Sequence, residues 1–278
     1  MGLMKQIITL FTALLLLALM SFFVFKVYTY AKSYEEMSEL IVQKHNITQL
    51  SQNQLKKIAQ GLTFGLYDGY ELSLKEQHKA QEVQEFFKQK AEKYMLYFVA
   101  TLGGLSLFYF ILSLREFTIL MALSGCIALI GGLVTPIMML SIHKEVEYLG
   151  DVVLSMESKG VMGSILKLFE NNDYVIGAVL LLFSVIFPLL KTIAILFVSL
   201  FIHSRFAHNL VHFFKVLGKW SMADVFVVST LLVYFSASKG EMSRAEVQMG
   251  LYLFLSYVIL SIFASILADT LLQKSKNI

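Results

Sequence analysis

Cysteine is almost missing from this chain. The single Cys126 rules out an internal disulfide and any cysteine-built zinc ribbon. Charge is scarce as well, at 15% of residues against 57% hydrophobic, which excludes a disordered chain and an ordinary soluble surface. Proline occurs only as Pro136 and Pro188, so no proline-rich linker divides the molecule. There is no phosphate-cradling glycine loop, no nucleophile–base constellation and no cluster of metal ligands. Neither enzyme chemistry nor a cofactor is therefore expected, and a net charge of +3 gives no footing for nucleic acid.

Long apolar runs are what the chain has. Six read as membrane spans: Ile7–Phe25, Tyr94–Ser113, Phe117–Ile142, Tyr174–Ile202, Met222–Ser238 and Gly250–Leu272. The first is too long for a signal-peptide core and lacks a small-residue cleavage site, so it reads as a retained anchor. The expected fold is an all-α polytopic membrane protein. Residues 1–116 would form a helix pair carrying an outer helical loop over 26–93. Residues 117–272 would form a four-helix module, and 273–278 a tail.

Charge in the connections orients these spans. With a cytoplasmic N-terminus, the inner segments hold Lys5, Arg115, Arg205, Lys215, Lys219, Lys274 and Lys276, with little acid beyond Glu116. The outer segment His143–Asp173 holds three lysines against six acids. The positive-inside rule thus places both termini in the cytoplasm.

Three stretches outside the lipid have readable patterns. In the 26–93 loop, Ser33-Tyr34-Glu35-Glu36 and Ser73-Leu74-Lys75-Glu76 resemble capping boxes, and Gly61 and Asp68-Gly69 resemble breaks between helices. The loop is either a plain helical hairpin or a docking surface. Val146, Leu149, Val152, Val153 and Met156 suggest short amphipathic helices over His143–Asp173. Arg205–Lys219 reads as an interfacial helix, whose His208 and His212 lack the further ligand a metal site needs.

Lys191 is the only charged residue in the run of about 29 residues from Tyr174 to Ile202. A lysine at mid-membrane costs roughly 3 kcal/mol on insertion scales, and it marks a candidate functional site. Pro188 lies three residues earlier and cannot donate a backbone hydrogen bond, so it frees the carbonyl of Ser184. Counting residues from the inner ends puts Lys191 about 16 Å deep, with Asp224 and Asp269 only about 3–5 Å deep. Direct pairing with either acid is disfavoured. Ser124, Ser229, Thr230 and Ser261 match its depth better, and water or a ligand is the expected partner. The plain alternative is a polar clamp at a proline kink.

The acids have simpler roles available. Ser221 and Asp224 form a capping box, and Trp220 can staple onto Val225. Asp224 is either this cap or a proton relay. Asp269 is either a self-solvating boundary carboxylate or part of the same pathway.

Lys219-Trp220-Ser221-Met222-Ala223-Asp224 resembles the signature of the paraquat-inducible protein A family. Phe187-Pro188-Leu189-Leu190-Lys191 resembles that family's proline–lysine motif. Val134-Thr135-Pro136 and Gly250-Leu251-Tyr252 fit the same template, so the likeness covers about Phe117–Leu272. Better-known members carry two such modules with cysteine-rich zinc ribbons, whereas this chain has one module and no ribbon. The resemblance implies lipid traffic across a two-membrane envelope. It also implies membrane lipid as a partner, beside a periplasmic tunnel protein built from mammalian-cell-entry domains. A membrane anchor or regulatory subunit is the alternative. Lys191, Pro188, Ser184, Ser229, Thr230, Ser261, Ser124, Asp224 and Asp269 would line the substrate or proton path. Trp220, Ser221, Thr135 and Pro136 would be structural.

Overall fold

The computed structural model describes residues 2–44, 69–146, 150–201 and 243–276. Alternating steps of three and four residues between inward positions build its first element. Helix α1 (Gly2–Lys44) buries Met20, Val24, Val27, Ala31, Tyr34 and Ser38 along one seam. That is the 3.5-residue repeat of a two-helix coil. Helix α2 (Gly69–Leu107) supplies the other side with Ala91, Met95, Phe98 and Leu105. Phe23 meets Tyr97, while Tyr30 stacks on Tyr94 at 5.5 Å and approaches Phe87. Pairing falls along α2 as it rises along α1, so the two are antiparallel. At 43 and 39 residues these helices run about 65 and 59 Å, roughly twice the hydrocarbon thickness. Of the two, α1 contains a segment, Ile8–Val42, long and apolar enough to cross a membrane; α2 contains none, although a span was expected over Tyr94–Ser113.

Two expectations about this region change. Ser33-Tyr34-Glu35-Glu36 does not start a helix; it lies inside α1. The capping pattern is only permissive, and here the uninterrupted inward seam overrides it. The second helix does run unbroken into the expected span at Tyr94, but α2 ends at Leu107 and hands over to a 3-10 turn at Phe108–Phe110.

Ser113 then caps helix α3 (Leu114–Val134) through a reciprocal box with Glu116. The third span was expected to reach Ile142, yet α3 stops at Val134. Pro136 is the reason. It forces Thr135 into an extended conformation (φ −76°, ψ 142°), and the chain leaves as strand β1 (Met138–Val146). Strand β2 (Gly150–Lys159) pairs antiparallel with β1, with a bulge at Ile142/His143. Short helices were expected here; only α4 (Val161–Glu170) is one. The alternation Val152, Leu154, Met156 fits a strand as well as a helix, and β-branched valines tip it to strand.

Helix α5 (Tyr174–Leu181), a π-helical turn (Leu182–Ile186) and helix α6 (Phe187–Leu200) form one continuous span. Strand β3 (Ser243–Val247) adds to the far edge of β1, giving the order β2-β1-β3, and leads into helix α7 (Met249–Lys276). The fold is thus an all-α membrane fold bearing one small sheet. Among the described residues four helical segments are long and apolar enough to cross a membrane: Ile8–Val42, Leu114–Val134, Tyr174–Leu200 and Met249–Lys274. The expected span Met222–Ser238 and the interfacial helix Arg205–Lys219 lie outside the described residues.

Small residues set the spacing of the module. Gly125, Ala128 and Gly132 share one face of α3 and are buried against α7. A Cβ added at Gly132 would stand 2.8 Å from the backbone nitrogen of Phe254. Such small faces let membrane helices approach to backbone contact. Val24 of α1 fills the space over neighbouring Gly131. At the other end of α3, Arg115 donates to the carbonyls of Ser199 and Leu200 at 2.8 Å each, closing the C-terminus of α6.

Candidate functional site

Pro188 organises the middle of the membrane module. Lacking an N–H, it breaks the α-helical ladder, and Phe187 N–H donates instead to Leu182 O, five residues back. Ser184 lies in the π turn so formed. The Pro188 carbonyl accepts from Thr192 Oγ1 at 2.9 Å and from Tyr257 Oη on α7 at 3.0 Å. Tyr257 is fully buried and Thr192 nearly so.

Lys191 occupies the inward face of this helix. Its neighbours along the stripe are Pro188 and Ile195, one turn away on either side, and Val198; all three are buried. Lys191 itself is partly buried. The lysine therefore belongs to the protein side of the span rather than to its lipid side, as an intramembrane charge should.

Register follows from the end contacts. Gly250 N–H donates to Pro136 O at 2.8 Å, so α7 begins where α3 ends. Arg115 joins the start of α3 to the end of α6. Helices α6 and α7 are thus parallel to each other, and both are antiparallel to α3. The Tyr257–Pro188 bond then puts Ser261 level with Thr192, one turn further on. A Cβ at Gly125 would sit 3.7 Å from Leu260 Cβ, which brings Ser124 to the same layer. Ser124 Oγ, fully buried, donates to Leu120 O at 2.9 Å. Ser261 Oγ is buried and has no hydrogen-bond partner among the described residues.

The structure therefore gathers Lys191, Pro188, Ser124 and Ser261 into one layer, with Ser184 a turn above. Asp269 lies eight residues past Ser261, about 12 Å further along α7, where Gln273 donates to it. Thr135 and Pro136 lie about 15 Å the other way, at the C-terminal end of α3. Their role there is packing: a Cβ at Gly250 would strike both carbonyls, and one at Gly160 would press on Thr135 O at 3.0 Å. Trp220, Ser221, Asp224, Ser229 and Thr230 lie outside the described residues, as do His208 and His212.

Two members of the layer were not anticipated from sequence. Tyr257 sits in an apolar run and reads as an ordinary core aromatic. The available signal was its phenol, which when buried usually finds an acceptor. Thr192 was overlooked beside its charged neighbour. We expect Tyr257→Phe to cost about 1 kcal/mol of unfolding free energy. The Tyr257→Phe/Thr192→Val pair should depart from additivity in a double-mutant cycle of denaturant unfolding, because both hydroxyls share one carbonyl.

A family model described as paraquat-inducible protein A matches residues 116–273. No curated protein and no solved structure matches the chain.

Proposed function

The chain belongs to the paraquat-inducible protein A family, and from that premise we propose that it moves a phospholipid or similar amphiphile. It is a multi-pass membrane protein, a component of a cell-envelope system. In the reading proposed here it lies in the inner membrane of a two-membrane envelope with both termini cytoplasmic. Lys5, Arg115 and Lys274 at the end opposite the sheet fit that orientation. The protein would carry out no covalent chemistry and need no cofactor. Its partners would be membrane lipid and a periplasmic tunnel protein of mammalian-cell-entry domains.

One observation carries the proposal: a lysine on the inward face of a span, beside a proline-induced π turn and a layer of buried hydroxyls. A lipid phosphate is a natural counter-ion for such a lysine, and Ser124, Ser261, Thr192 and Tyr257 supply neighbouring polar atoms. Carrying protons through the same layer is the second use its chemistry allows. The reading as an anchor that docks a periplasmic partner has its own support, since the hairpin reaches well past the bilayer.

Photo-crosslinking in native membranes separates these readings. With a photoreactive residue at Ser261 or Ser229, the transport reading expects a covalent phospholipid adduct. No lipid adduct at either position, together with a protein adduct in the 26–93 loop, would favour the anchor.

A further inference from the structure

Glu246 is where three elements meet. Its carboxylate, on β3, accepts from Tyr34 Oη of α1 at 3.2 Å and from Lys88 Nζ of α2 at 2.5 Å. Both donors belong to the N-terminal hairpin, outside the stretch matched by the family. Tyr34 is 6% exposed and seated in the helix–helix seam. One turn further out, Ser38 Oγ donates to Tyr34 O and receives Gln84 Nε2, both at 2.7 Å, which fixes the two helices against each other at this level. The Glu246 hydrogen bond holds the Lys88 ammonium above its ordinary pKa. The pair is 34% and 44% exposed, so its strength is modest and it can open without unfolding its surroundings.

Strand β3 is an edge strand, and Gln248 alone separates it from α7. Gln248 N–H donates to Ile137 O and Gly250 N–H to Pro136 O, at 2.8 Å each. Whatever holds β3 therefore holds the outer end of α7, and Tyr257 lies only about 12 Å further along that helix. The hairpin itself is long and paired along its length. It touches α3 at membrane level, where Val24 covers Gly131, and reaches the latch ten residues later at Tyr34. About ten more residues of α1 extend beyond that point.

We propose that Glu246 is a latch through which the N-terminal hairpin sets the outer end of α7, so that movement of the hairpin is felt at the Tyr257–Pro188 contact. The inference rests on the fold and stands whatever molecule the module moves.

Hydrogen exchange on the full chain in lipid nanodiscs tests it. In Glu246→Ala, amides of β3 and the first two turns of α7 should exchange about tenfold faster, while the α3 amides around Gly125–Gly132 keep their protection. The charge swap Lys88→Glu with Glu246→Lys should restore most of the lost protection. Unchanged exchange in Glu246→Ala would overturn the latch, as would equal loss in the swap. Loss of protection throughout α3 would overturn it too, because that pattern marks general unfolding.

Discussion

Gly132→Val will lower the stability of the membrane module by about 3 kcal/mol or more, because the added side chain meets backbone. The Cβ alone would lie 2.8 Å from the Phe254 nitrogen and 2.9 Å from its Cα. Backbone cannot move aside as a flexible side chain can, so α3 and α7 must separate. The buried layer of Ser124, Tyr257 and Ser261 would open with them. Unfolding in mixed detergent, followed by far-ultraviolet circular dichroism, measures the loss. Gly104→Ala is the control: nothing lies within 4 Å of a Cβ there, so the change should be neutral or slightly stabilising through helix propensity. Equal effects at the two glycines would contradict the packing account.

On the transport reading proposed above, Lys191→Met will reduce phospholipid exchange between the two membranes at least tenfold, and Lys191→Arg will retain a substantial part of it. Methionine matches the length and the apolar fit of the lysine stem, so the substitution removes charge with little change in packing. Arginine keeps the charge and can still grip a phosphate, though as a planar fork instead of a compact ammonium. Exchange of isotope-labelled phospholipid in cells that carry each variant gives the comparison. Equal loss in both variants would argue against a headgroup contact and for a role, such as proton transfer, that needs the titratable amine itself.

Much of this architecture was legible because membranes impose a simple code. Apolar length located the spans around α3, α5–α6 and α7. The failures have physical causes. Ser33-Tyr34-Glu35-Glu36 has the composition of a cap, but a cap signal cannot outvote an inward seam that continues to Ser38. Thr135-Pro136 was read for its likeness to a family template, when its local meaning is a helix stop followed by extended chain. The β1–β2 hairpin was hidden because a short apolar stretch with valines satisfies both periodicities. Tyr257 and Glu246 could not be found from local pattern at all. Each acts through a partner 69 or more residues away, and no periodicity reports such a pairing.

The hairpin's seam uses its own aromatic and small residues, and Tyr34 and Lys88 join it to the module at Glu246.

Native mass spectrometry of the protein released directly from its membrane tests the central claim most directly. If the Lys191 layer holds a lipid headgroup, the wild type and Lys191→Arg will carry bound phospholipid of defined mass, and Lys191→Met will lose it. The same phospholipid adducts at the same occupancy in all three proteins would contradict the account.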